Sequence, residues 1–152
     1  MKKLILIILP FLFIGCATTL PPAGPSTKMM KKANTIILKV DQTPKEAYKK
    51  FYRFLSDHNF GFRNTDKDLM LLKTDYRDFG NAASSYKFSI NASIRADSTT
   101  EIVISGNGNM GIGKDYDIYK SHHLLDNIGK SWKKMNEIVS AYPHKEILYK
   151  RN

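Results

Sequence analysis

Tyr86-Lys87-Phe88-Ser89-Ile90-Asn91-Ala92-Ser93-Ile94-Arg95-Ala96 alternates apolar and polar side chains without a break. A period of two places successive side chains on opposite faces of a strand, so this stretch predicts a β-strand with one face buried and one face wet. Asp97-Ser98-Thr99 follows as a turn, and Thr100, Ile102 and Ile104 alternate with Glu101, Val103 and Ser105, which predicts an antiparallel partner strand. Upstream, Gly80 and Asn81 interrupt a longer loop from Tyr76 to Ser85. Before it, Phe60 to Thr65 and Leu69 to Thr74 flank the polar Asp66-Lys67-Asp68 and read as a second hairpin.

Further toward the N-terminus, Thr43-Pro44-Lys45-Glu46 carries a helix start. The Thr43 hydroxyl can accept from the amide three residues on, Glu46 can reach back, and Pro44 occupies a position that needs no donor. Ala47, Phe51, Phe54, Leu55 and His58 then recur at helical spacing, and Asn59 and Gly61 stop the run. Ile36, Leu38 and Val40 ahead of the helix alternate as a strand. On the other side of the chain, Leu125, Ile128, Trp132, Met135, Val139 and Tyr142 predict a closing helix from about Tyr119 to Tyr142, ended by Pro143. The order β-α-β-β-β-β-α predicts an α+β fold. Its antiparallel sheet has four to five strands, with two helices packed on one face. Residues 34–143 form this single domain, and residues 144–152 are a basic, amphipathic tail beyond it.

The first residues carry an address. Lys2 and Lys3 precede an apolar run, Leu4 to Ile14, that ends in Gly15 and Cys16, the only cysteine. The run holds roughly a dozen residues where a membrane-spanning helix needs about 20, and the layout is that of a secretion signal spanning residues 1–15. Phe13-Ile14-Gly15-Cys16 resembles the lipobox of bacterial lipoproteins, with Phe13 where that motif commonly has Leu. The resemblance implies cleavage before Cys16 and a diacylglyceryl group on its sulfur. A plain signal cut after Ala17 and an uncleaved anchor are the alternatives. Residues 16–33, with three of the six prolines, then read as the lipidated cysteine and an extended tether to the domain.

These readings narrow the chemistry. The chain has 24 Lys and Arg against 14 Asp and Glu, a net charge of +10, which falls to about +8 when Lys2 and Lys3 leave with the signal. For an exported protein this charge points to envelope polyanions and lipid headgroups rather than to nucleic acid. An acylated Cys16 leaves no thiol for a disulfide, a cysteine metal site or cysteine catalysis. Gly106-x-Gly108-x-x-Gly111 spells a dinucleotide fingerprint, and Gly108 to Lys114 spells most of a phosphate-binding loop. Asp115 stands where that loop needs Ser or Thr, however, and no acid follows on a parallel strand. The glycine run therefore reads as a strand-to-helix connection. His122 and His123 are adjacent, and neighbours on a helix point about 100° apart, so they make a poor metal pair. The expectation is no nucleotide, no nucleic acid, no cofactor, no metal, no catalytic residues, and no enzyme activity.

From Ile36 to Tyr142 the chain resembles a single copy of the domain of BamC-like outer-membrane lipoproteins. The resemblance is carried by Ile36-Ile37-Leu38-Lys39-Val40, by Thr43-Pro44-Lys45-Glu46-Ala47-Tyr48, by Asn59-Phe60-Gly61-Phe62, and by the strands and closing helix that follow. It implies a non-catalytic module that serves envelope assembly by contacting other proteins, without implying particular contact residues. The function expected is thus a lipid-anchored cell-envelope lipoprotein, attached through lipid on Cys16 to the outer membrane, facing the periplasm and engaging an envelope protein partner. A periplasmic binder of lipid or another small apolar ligand is the alternative, and an enzyme with an unrecognised site comes third. Six aromatic residues that fall in loops or off the helical stripes are the candidate interaction surface: Tyr48, Tyr52, Tyr76, Phe79, Tyr116 and Tyr119.

Overall fold

A computed structural model describes residues 23–80, 86–109, 115–121 and 126–152 of the 152-residue chain. Its spine is the hairpin of the alternating stretch and its partner, Lys87–Ala96 and Thr100–Asn109, paired antiparallel along ten residues each from Lys87↔Asn109 to Ala96↔Thr100. In chain order the elements are β1 (Ala23–Ser26), β2 (Thr35–Val40), α1 (Pro44–Asp57), β3 (Phe62–Asp66), β4 (Leu71–Thr74) and β5 (Arg77–Asp78). The spine strands β6 (Lys87–Ala96) and β7 (Thr100–Asn109) follow, then β8 (Asp115–Asp117), α2 (Asn127–Ser140) and β9 (Glu146–Arg151). All the strand pairs are antiparallel, in the order β1-β9-β2-β7-β6-β4-β3, with β5 added to β6 and β8 to β7.

The expected α+β sheet of four to five strands is overturned. Among the described residues the sheet has nine strands and dominates the fold, with two helices. Four strands account for the difference, and each hides its pattern. β1 carries Pro25, which a sheet tolerates at an edge because its missing donor is not needed there. β5 and β8 are two and three residues long, too short to show a period. β9 reads as a basic tail because Lys145, Lys150 and Arg151 surround its apolar residues, yet it lies inside the sheet between β1 and β2. Residues 146–151 therefore belong to the domain. The tether is likewise shortened, since β1 begins at Ala23 and Met29 and Met30 pack against the core. Residues 1–22, including Cys16, lie outside the described residues.

The glycine stretch also differs from expectation. Gly106 to Asn109 continue β7 instead of opening a loop, while residues 110–114 lie outside the described residues. β2 pairs with β7 only from Thr100 to Ser105, so the backbone groups beyond Ser105 are taken by β8 at Asn107, Gly108 and Asn109. The glycines serve packing. A methyl group on Gly106 would fall 2.4 Å from Ile118 Cδ1 and 2.7 Å from Met135 Sδ, and one on Gly108 would fall 2.3 Å from the Tyr116 ring.

The helix starts rest on their caps. Thr43 Oγ1 accepts from the Glu46 amide at 3.4 Å, and the Glu46 carboxylate accepts from the Thr43 amide at 3.0 Å, closing the reciprocal box. The Thr43 hydroxyl and amide hold the Glu46 carboxyl below its ordinary pKa. α2 begins eight residues after Tyr119, at Asn127, and is capped by Asp126, whose side chain accepts from the Gly129 amide. Residues 118–121 form neither helix nor strand, and there Lys120 donates its amide to the Ala33 carbonyl at 2.8 Å and Lys32 donates to the Lys120 carbonyl at 3.0 Å.

One apolar cluster joins Phe51 and Leu55 of α1, Trp132, Met135 and Val139 of α2, and one face of the sheet, including Ile36, Leu38, Ile90, Ile102 and Ile104. Phe51 meets the Tyr142 ring edge-on at 5.1 Å between centroids. Burying side chains of this size contributes about 1.5–3 kcal/mol each. This face needs no further cover.

Candidate interaction surfaces

Among the described residues the opposite face of the sheet carries no helix, and it is ordered in rows by the strand register. In the first row Glu146, Lys39, Glu101 and Arg95 stand opposite one another across β9, β2, β7 and β6. Their charges alternate in sign. Lys39 Nζ lies 2.9 Å from Glu146 Oε2, which raises the lysine pKa, and Arg95 donates from Nε and Nη2 to Glu101 Oε2 at 2.9 and 2.7 Å. Opposite charges directly across a sheet stabilise the pairing, and Glu101, 7% exposed, is paired with Arg95.

The second row is Leu148, Ile37, Val103, Ser93 and Leu71, and the third is Lys150, Thr35, Ser105, Asn91 and Lys73. An apolar band thus lies beside a polar band that ends in a lysine at each side. Ile37 is only 2% exposed although it belongs to the uncovered face, because Leu148 and Val103 flank it in register. A depression of about 370 Å³ lies over these two rows. Beyond them runs a relay of amides and carboxylates: Asn91 Nδ2 donates to Asn107 Oδ1 at 2.6 Å, Asn107 Nδ2 to Asp117 Oδ1 at 3.1 Å, and Asn109 Nδ2 to Asp115 Oδ1 at 2.8 Å.

Tyr76 ends the second of these runs, the one from Asn109 to Asp115. Burial, followed by a hydrogen bond to Asp115, pushes its phenol up to about 12, while that hydrogen bond, with a second from Asn109, lowers the Asp115 carboxyl. The Arg63 guanidinium sits 5.2 Å from the Tyr76 ring centroid, a cation–π distance.

A second region is the corner where α1 meets the β3–β4 hairpin. A cleft of about 720 Å³ there is lined by Lys45, Tyr48, Lys49, Tyr52 and Arg53 of α1 and by Lys67 of the hairpin, among others. Tyr52 stacks on Phe62 at 4.1 Å and 14° and remains 38% exposed. Tyr48 is 5% exposed, and burial raises its phenol pKa. Its hydroxyl makes no hydrogen bond of good geometry, although the Thr65 side chain lies beside it.

The six aromatic residues singled out from the sequence therefore do not form one surface. Tyr48 and Tyr52 share the corner cleft. Tyr76 belongs to the uncovered sheet face. Phe79 stacks on Phe88 at 4.5 Å beneath the Arg77 guanidinium. Tyr116 lies across Gly108 and packs against the core, and Tyr119 is half-buried in the run before α2.

No family model and no curated protein matches this chain. Its surfaces must therefore be read from their own chemistry. The rows offer amide and hydroxyl donors and acceptors beside an apolar band, a composition suited to a polypeptide surface with both kinds of group. Sequence reasoning missed Leu71, Ser93, Ser105, Asn107 and Lys150, because polar residues on the wet face of a strand look like solvent-facing positions until the register brings them together.

Proposed function

We propose that this chain is an envelope lipoprotein, tethered to a membrane by a lipid on Cys16, whose domain is a non-catalytic protein-interaction or assembly module facing the periplasm. The observation that carries this reading is the uncovered face of the nine-stranded sheet, with its apolar row Leu148-Ile37-Val103 beside a polar row and its depression of about 370 Å³. A face with apolar residues at its centre and charged pairs at its border has the layout of a protein contact patch. Support for the address comes from the Lys2 to Cys16 layout. The resemblance to the BamC-like domain points the same way.

Two experiments test the two halves separately. Metabolic labelling with a palmitate analogue should mark the wild-type chain and leave Cys16→Ser unlabelled; equal labelling of both would sink the anchor. A photo-crosslinking residue at Ser105, on the uncovered face, should trap a discrete envelope protein in cells. The same residue at Lys133, exposed on α2, should not. Identical adducts at both positions, or none at Ser105, would remove the proposed contact face.

A further inference from the structure

An exposed leucine stands beside the corner cleft, at the tip of the hairpin that lines it. Among the described residues the exposed large hydrophobic side chains are Tyr52 at 38%, Leu69 at 66% and Leu71 at 42%, and all three belong to α1 and the β3–β4 hairpin. Leu69 stands at the hairpin tip, where the Asp66 carboxylate accepts from the Asp68 and Leu69 amides at 3.0 and 2.9 Å and holds the turn. Met70 beside it has φ 52°, a left-handed conformation that is costly for a side chain of its size. The backbone thus holds an apolar side chain out into solvent.

Cations stand beside that tip. Lys45, Lys49 and Arg53 line the cleft from α1 and Lys67 from the hairpin, against the carboxylate of Asp68 in the lining and that of Asp66 at the turn. Among the described residues none of these four cations forms an ion pair. An exposed leucine next to a cleft lined by these lysines and arginine matches the boundary of an anionic bilayer, where the apolar group enters the acyl region and the cations meet lipid phosphates.

We propose that this corner is a second membrane contact, docking the α1/β3–β4 face on an anionic phospholipid surface. The geometry rests on the lipid-anchor reading above. Ala23 is seven residue steps from Cys16, a span of at most about 25 Å, so an acylated chain keeps its domain beside the bilayer. β1 and β3 are the two edges of the sheet, six strand spacings or about 29 Å apart. A tilt of the sheet therefore brings the hairpin tip onto the membrane while Ala23 stays within reach. The anchor and the corner then hold the domain at two separated points, which fixes its orientation and leaves the uncovered sheet face free for a protein.

The test uses the full chain with Cys16→Ser and Leu69→Cys, so position 69 holds the only thiol and acylation does not enter. The chain is labelled there with a fluorophore and reconstituted into vesicles of phosphatidylcholine, with or without phosphatidylglycerol, that carry an acyl-chain quencher. Strong quenching at position 69 is expected only with phosphatidylglycerol, with little at a Lys133→Cys control, and it should weaken as salt screens the surface. Lys45→Glu, Lys49→Glu and Lys67→Glu together should reduce it to the level of neutral vesicles. The corresponding Gln variants, expected to lose part of the signal, keep the test informative if charge reversal destabilises the fold. Absent quenching at position 69, equal quenching at 69 and 133, or quenching untouched by the charge variants would each overturn the proposal. Shielding of position 69 only by an added acidic envelope protein would overturn it in favour of that partner.

Discussion

Consecutive residues of β7 face two different environments. Ile102, Ile104, Gly106 and Gly108 turn toward the helices and are buried, while Val103, Ser105, Asn107 and Asn109 turn to the uncovered side and are half-buried. On the helix side the constraint is volume: isoleucines fill the space under α1 and α2, and glycines appear where Tyr116, Ile118 and Met135 already occupy it. The outer side is governed by pairing. Asn91, Asn107 and Asp117 hand hydrogen bonds along the sheet, and Glu146, Lys39, Glu101 and Arg95 alternate in charge. One strand therefore obeys two selection rules at a period of two, and only the first can be seen in a hydrophobicity pattern.

The largest effect expected from this contrast is at Ile104. Ile104→Ala should destabilise the domain by about 2–5 kcal/mol, because the side chain is fully buried between β2, β6 and the helices. Val103→Ala, one residue away, should cost about 1 kcal/mol or less, since Val103 is only half-buried. Urea unfolding of the two variants measures the difference. Equal losses would mean that the outer face is also packed, and the comparison between the faces would fail. Gly106→Ala should follow with about 1–3 kcal/mol, since its methyl group must displace Ile118 and Met135. If Met135→Ala restores the loss in Gly106→Ala, the cost arises from that contact.

How much of this was legible in the residues follows from the same contrast. The β6–β7 hairpin and the β3–β4 hairpin were readable because their alternation runs for several residues, and α1 was readable because Thr43, Pro44 and Glu46 carry a local cap. β1, β5, β8 and β9 were not, for pairing with a neighbour decides them more than their own composition does. Gly106 and Gly108 misled most. A glycine in a strand and a glycine in a loop look alike until the residues that pass over it are known, and those residues, Tyr116 and Ile118, lie eight to twelve positions further on. The candidate site was less legible still. Tyr48 and Tyr52 were named for being off the apolar stripe, but the cleft they share depends on Lys67 and Met70 of a distant hairpin.

The smallest expected effect tests whether the outer face is an organised polar network or merely wet. Tyr76 is pushed up to about 12, first by burial and then by its hydrogen bond to Asp115. Because the folded value lies above the ordinary 10, the contribution of Tyr76 to stability is complete below pH 10. It is lost as pH rises from about 10 to 12, where the unfolded phenol ionises before the folded one. Asp115 behaves oppositely: its lowered carboxyl favours the fold above its ordinary pKa of 3.8, and that contribution is lost as pH falls through the lowered value. Ultraviolet titration of the wild type, with the curve of Tyr76→Phe subtracted, isolates this phenol. Asp115→Asn should bring its midpoint partway back toward 10 and no further, since burial, the larger cause, is untouched. A wild-type midpoint near 10 would mean that solvent reaches Tyr76 freely. The relay from Asn109 through Asp115 would then have no organised end, and the outer face would be a collection of solvated side chains.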